Sequence, residues 1–270
     1  MGACGTRNEA AATFCVQCGA RLEQAAVARR SAVTPRRLVL LGLIGTLLVA
    51  GIAFVAYNML SGETVEDYSP SAKGTTWEFA IKSVTKEGLV LSGTLDWTAK
   101  GEEVFEGQRA ILYEGRRVLR GTVLGTPYED VETLKTYLVH SSDSVKTIGS
   151  ERFKGRTLLG RRRYLPGYTV IKLPLRAGVS WEDKFEEILS RGDRDERRST
   201  GGLSTSIIGS ERVNTPTGEF QAVVFEKRWG DGRAAKEWRV KGTGVVKFSI
   251  TNPDGSIFEA QLTNFRRSKS

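Results

Sequence analysis

The sequence predicts a mainly β protein: a curved antiparallel sheet, as a half-barrel or sandwich, over residues 61–270, preceded by one transmembrane helix at residues 38–60 and a small cysteine-bearing knuckle at residues 1–22. Three observations predict it. Residues 38–60 read LVLLGLIGTLLVAGIAFVAYNML without a charge. After about residue 70 the chain breaks into short runs rich in Val, Ile, Thr, Tyr, Phe and Trp, separated by glycine. All three cysteines, Cys4, Cys15 and Cys18, lie at the N-terminal end.

The apolar segment makes the first division. At 1.5 Å rise per residue, residues 38–60 would form a helix of about 34 Å, enough for a hydrocarbon core of roughly 30 Å. A cleaved signal peptide fits less well, because the run is too long, starts late, and ends at Tyr57, Asn58, Met59 and Leu60 rather than at small residues. Arginines at 21, 29, 30, 36 and 37 precede it, whereas Glu63, Glu66 and Asp67 follow. Positive-inside bias therefore predicts a cell-membrane protein with a cytoplasmic N-terminus and an extracytoplasmic C-terminal domain. Residues 23–37 read as a basic juxtamembrane linker. The exported part contains no cysteine, so it must be held by its core without disulfides.

The formal charge of +9 does not signal a nucleic-acid partner. Six Arg and two Glu fall in residues 1–37, and the region after the apolar run carries 34 basic against 29 acidic residues, an ordinary balance for its length.

Residues 4–22 read CGTRNEAAATFCVQCGARL. With Cys4, Gly5, Asn8, Phe14, Cys15, Cys18, Gly19 and Leu22 in register, this stretch resembles small bacterial zinc-ribbon heads of the form C-x-x-C-G-x-x-N followed by F-C-x-x-C-G-x-x-L. Two such knuckles would present four thiolates to one tetrahedral Zn²⁺. Here Met1 stands where the first thiolate belongs, leaving Cys4, Cys15 and Cys18. The resemblance implies a structural zinc site that is incomplete, or lost for want of the fourth ligand.

Within residues 61–270, strands are expected at 89–97, 109–113, 118–124, 134–140, 156–165, 169–173, 205–211, 220–229, 236–240, 245–251 and 257–265. Turn signals at Lys86-Glu87-Gly88, Asp231-Gly232 and Pro253-Asp254-Gly255 separate several of them. Residues 181–189 are the one expected short helix. Two phrases recur, P-x-x-x-G-x-x-W-E at Pro70 and Pro174 and G-S-E-R at Gly149 and Gly209, with different offsets, so local structure is reused without tandem duplication.

The segments LPLRAGVSWE (173–182), IIGSERVNTPTGEFQAVVFE (207–226), EWRVKGTGVVKFSI (237–250) and EAQLTNF (259–265) form a longer signature. It is similar to that of the TapB-like group of exported bacterial β proteins. The resemblance implies an envelope protein without established activity, with Gly218 and Gly244 at turns or bulges and Trp181, Phe220 and Val246 in the core.

Catalytic constellations are largely absent. The single histidine, His140, has Ser141, Ser142 and Asp143 beside it, but successive strand residues point to opposite faces and make no triad. No calcium-loop or E-x-x-H pattern occurs. Arg152, Lys154, Arg156, Arg161, Arg162 and Arg163 form the densest basic run, either a solvated strand pair or a surface for anionic wall polymer or lipid headgroups.

The expected function is therefore that of a non-enzymatic, membrane-anchored envelope protein whose β domain binds an apolar or anionic envelope component, namely a lipid or wall polymer, or a protein partner. The alternative is a transmembrane coupler whose ribbon docks a protein or nucleic acid. A hydrolase is the remote third reading.

Overall fold

The computed structural model describes Phe14, residues 62–191 and residues 195–268. The chain divides into two compact units, Met1–Gly62 and Glu63–Ser270. In the second, a short helix α1 (Val65–Tyr68) precedes β1 (Thr76–Val84), β2 (Val90–Phe105), β3 (Gln108–Val123), β4 (Thr126–His140), β5 (Ser144–Lys154), β6 (Thr157–Lys172), β7 (Ser180–Arg191), β8 (Asp195–Thr215), β9 (Gly218–Trp229), β10 (Ala234–Val240), β11 (Gly244–Thr251) and β12 (Ile257–Arg266). Each strand pairs antiparallel with its neighbours in sequence, and β12 returns to β1.

That last pairing corrects the expected half-barrel or sandwich. An open sheet would leave β1 and β12 as bare edges, but their ladder runs from Thr76↔Arg266 to Val84↔Ile257 and removes both. The result is a closed barrel. Its inner face follows strand parity: on β1, Trp77, Phe79 and Ile81 are buried while Ala80 and Lys82 are exposed. On the facing strands Leu95, Leu262 and Ala260 join them in the main core cluster.

Two other expectations about the architecture change. Among the described residues no helix is long and apolar enough to cross a membrane, and the anchor placed at residues 38–60 lies outside the described residues. The expected helix at 181–189 is the body of β7. Trp181 and Phe185 suit a helical spacing of four, but in a strand they share one face with Asp183 between them, and both are buried. The expected strands at 109–113 and 118–124 are one, β3, because Glu114, Gly115, Arg116 and Arg117 continue the ladder with β2 instead of turning.

Residues 63–75 cross the barrel end at which β1 begins. Asp67 accepts the N–H of Thr64 at 3.0 Å, which fixes the start of α1. The Gly242 N–H donates to the Asp67 carbonyl at 2.6 Å, Arg239 donates to the Tyr68 carbonyl at 3.0 Å, and the Tyr113 hydroxyl donates to the Pro70 carbonyl at 2.8 Å. Val65 and Tyr68 pack on Val145 and Ile171 beneath them. This end of the barrel is thereby covered.

The wall has one weak seam. β6 and β7 pair only over Arg161–Leu165 and Glu186–Ser190. Past it, side chains of β7 replace the ladder: the Thr169 N–H and hydroxyl donate to the Asp183 carboxylate at 2.8 and 3.0 Å, and the Trp181 indole donates to the Thr169 carbonyl at 3.2 Å. The backbone groups of Thr169 are thus satisfied without a continuous strand pair.

Glycine is required where an inward ring lies flat on the opposite strand. Gly115 faces Trp97 across the β2–β3 ladder, and a Cβ there would sit 2.8 Å from the indole and 2.9 Å from the Asp96 carbonyl oxygen. Gly115→Ala is therefore expected to destabilise the barrel by about 1–3 kcal/mol, read as a lowered urea midpoint for the full chain. An unchanged midpoint would show that Trp97 has room to move.

Candidate functional site

The barrel interior contains a cavity of about 320 Å³, partly open to solvent. Rings of Trp77, Phe79, Trp97, Tyr113, Tyr168, Trp229 and Phe248 line it, with Leu138, Val170 and Ile250 between them and Tyr68, Ser69 and Pro70 from the covering segment. The rings converge because residues of equal parity on paired strands point to one side: Trp77 opposes Trp97 and Phe265, and Tyr113 opposes Ala99 and Thr136. Trp77 is held in place by its indole, which donates to the Thr243 carbonyl at 2.6 Å. Tyr168 and Val170 belong to the stretch of β6 that has no ladder to β7, so the seam forms part of the cavity wall.

Three charged side chains share this apolar wall: Lys227, Glu237 and Arg239. On β9, Phe225, Lys227 and Trp229 have the same parity, as do Ala235, Glu237 and Arg239 on β10, so each charge takes an inward position between apolar ones. Lys227 donates to Glu237 Oε1 at 2.6 Å, and Arg239 donates to Glu237 Oε2 through Nε at 3.1 Å and Nη2 at 2.9 Å. The guanidinium also stands over the Phe225 ring at 5.7 Å. Lys227 is only 3% exposed.

Burial drives the Lys227 ammonium below its ordinary pKa, partly offset by Glu237. For Glu237 burial alone would raise the carboxyl, but the attraction of Lys227 and then Arg239 outweighs it and holds the pKa at about 2. Burial pushes the phenols of Tyr113 and Tyr168 up, so both stay neutral.

The basic run lies elsewhere on the barrel and is mostly matched to carboxylates. Arg152 meets Glu132 at 2.6 Å, Lys154 meets Asp130 at 3.3 Å, Arg161 meets Glu151 at 2.7 Å, and Arg162 meets Glu187 at 3.5 Å. Arg163 bonds Glu196 and, at 3.3 Å, Glu106. Glu132 and Glu151 are buried, and Arg117 ties Glu132 to Asp130. Arg156, exposed in the β5–β6 turn, makes no ion pair among the described residues. The cluster is a cross-strand ion-pair lattice.

No catalytic arrangement forms around His140. Its Nε2 is buried without a partner, and burial lowers its pKa against the pull of Glu66. Ser141 is engaged with Asp143 at 3.1 Å and with the Ser144 carbonyl at 3.0 Å in the adjoining turn.

The zinc expected on Cys4, Cys15 and Cys18 has no counterpart among the described residues. Among the described residues no group of three or more His, Cys, Asp or Glu side chains could hold a metal ion, and Cys4, Cys15 and Cys18 lie outside the described residues.

No protein-family model matches the sequence, and no curated protein matches it. The expected likeness to the TapB-like group therefore falls. The positions that carried it serve the barrel itself: Gly178, Gly218 and Gly244 have positive φ, and Trp181 and Val246 are core residues, requirements any hairpin-built barrel shares. Three solved structures are similar to this chain. One, from Bacteroides fragilis, is described as an exported protein with a YmcC-like fold (12% identity, 73% of this chain and 97% of that one, TM-score 0.41). A lipoprotein from Parabacteroides distasonis has 13% identity over 73% of this chain and 97% of its own, with a TM-score of 0.42. A β-barrel-like protein of the DUF1849 group from Brucella abortus has 8% identity over 73% and 98%, with a TM-score of 0.46. None of the three is described by an activity.

Sequence reading missed the charged group in the cavity, although parity could have found it: a lysine in step with Phe225 and Trp229 cannot point to solvent if they point inward. Its linkage to pH is testable. A carboxyl held at about 2, against an ordinary 4.5, contributes stability that is complete above pH 4.5 and is lost as the pH falls toward 2. Glu237 is expected to supply about 3 kcal/mol of acid-labile stability. In Glu237→Gln this part of the acid limb should vanish, while stability at neutral pH drops by about 3–5 kcal/mol because two cations lose their counter-ion. Urea unfolding across pH 2–7 measures both, and parallel acid limbs in the two proteins would contradict the assignment.

Proposed function

We propose that this barrel is a non-enzymatic, extracytoplasmic binding protein that encloses a small apolar or amphipathic molecule, such as an envelope lipid or its single-chain fragment. The observation that carries this reading is the interior cavity walled by eight aromatic rings, Tyr68 of the covering segment included. A mostly apolar cavity of about 320 Å³, partly open to solvent, leaves its rings against water. A ligand that fills it removes that apolar surface from water, and the volume falls at the lower end of the range for small-molecule sites. A wall polymer would bring many hydroxyl groups to a surface with few polar partners, so it suits this lining poorly. The barrel holds no cysteine, and its stability is thus independent of the redox state of the surroundings, as suits a protein outside the cytoplasm. Catalysis finds no support in the cavity, where the three charged groups satisfy one another instead of addressing a nucleophile.

Two measurements test the reading. Full-length protein purified without detergent, extracted with organic solvent and analysed by mass spectrometry, is expected to release an amphipathic molecule in near-stoichiometric amount. Ala235, 8% exposed and lining the cavity, offers a way to fill it: Ala235→Leu should weaken binding of an alkyl probe about tenfold, followed through fluorescence of the cavity tryptophans. An empty protein whose fluorescence ignores alkyl probes would refute the proposal.

A further inference from the structure

The cavity wall contains more hydrogen-bond donors than its own acceptors use. An ammonium has three N–H groups and a guanidinium five. Lys227 directs one at Glu237, and Arg239 directs two at Glu237 and one at the Tyr68 carbonyl. Four N–H groups on two buried cations are left without an acceptor among the described residues.

Charge gives the same imbalance. With the Lys227 ammonium protonated, Lys227, Arg239 and Glu237 sum to one positive charge, and the other lining residues are uncharged. The neighbouring acids are committed elsewhere: Glu66 to the Ser71 N–H and hydroxyl at 2.7 and 2.6 Å, Glu63 to the Tyr68 hydroxyl at 2.9 Å, and Asp183 to Thr169. The phenols of Tyr113 and Tyr168 are uncharged. A neutral ligand would leave the surplus cation and its donors buried and unanswered, which is costly. A doubly charged head would overshoot.

Resting on the reading of the cavity as a ligand site, we propose that Lys227 and Arg239 form an anion subsite in its wall, and that the ligand is a single-tailed amphiphile with one singly charged oxyanion head. The tail occupies the space between Trp77, Trp97 and Phe248. The head accepts the free N–H groups of the two cations, bringing the buried charge to zero.

Isothermal titration of the full chain, delipidated, with four probes of equal tail tests this: decanoate, methyl decyl phosphate, decanol and decyltrimethylammonium. At least one of the two anions is expected to bind about tenfold or more tightly than decanol, and the cationic probe more weakly than decanol. The tighter anion identifies the head as carboxylate or phosphodiester. In Lys227→Met, which brings the cluster to zero charge, the preference for that anion over decanol should be lost. Lys227→Met with Glu237→Gln keeps one net positive charge on Arg239 and should retain the preference. Decanol binding to the wild type as tightly as both anions would overturn the anion subsite and leave the apolar site standing. Failure of all four probes to bind would overturn the ligand site itself, and the wild-type comparison decides even where a variant fails to fold.

Discussion

Closure of the sheet is the constraint from which the remaining structure follows. Once β12 pairs with β1, every strand has two neighbours, and every residue of inward parity must share a limited interior. Large rings then need partners without side chains, which is the role of Gly115 beneath Trp97 and of Gly201 beneath Phe185, where a Cβ would meet the ring at 2.3 Å. Where the rings do not fill the space, the cavity remains. The covering segment at one end and the side-chain links of Asp183 and Trp181 across the β6–β7 seam extend the cavity wall beyond what backbone pairing alone provides.

Charge within such an interior is informative because it is expensive. The lattice of Arg117, Arg152 and Lys154 around Glu132 and Asp130 lets Arg152 and Lys154 reach solvent, and it acts as structure. The cluster in the cavity differs in that both of its cations are buried around one carboxylate. A folded protein that needed only rigidity at this position could use apolar residues at no loss of stability, so the surplus points to something the cavity receives.

Several strands and turns of the domain were legible in the sequence, although its architecture was not. Lys86-Glu87-Gly88, Asp231-Gly232 and Pro253-Asp254-Gly255 do connect β1 to β2, β9 to β10 and β11 to β12, because turn chemistry is local. Closure was not legible: the β1–β12 ladder joins segments at opposite ends of the domain, and no local pattern marks a strand as the partner of a distant one. Strand continuity failed where charges sit inside the barrel or its walls. Arg116 and Arg117 looked like an interruption of β3, and Glu182, Asp183, Glu186 and Glu187 gave β7 a helical polar face. In each case a cross-strand partner supplied what an isolated segment lacks. The same effect concealed the site, since Lys227, Glu237 and Arg239 resemble surface residues until the pairing shows that they share a face with Phe225, Trp229 and Ala235.

The most direct test of an interior apolar site with a cationic wall is anomalous diffraction from crystals of the full chain grown with ω-bromodecanoate. The predicted result is a bromine peak among Trp77, Trp97 and Phe248, with the carboxylate against Lys227 and Arg239. A barrel interior without bromine, its rings collapsed together where the cavity should be, would contradict it.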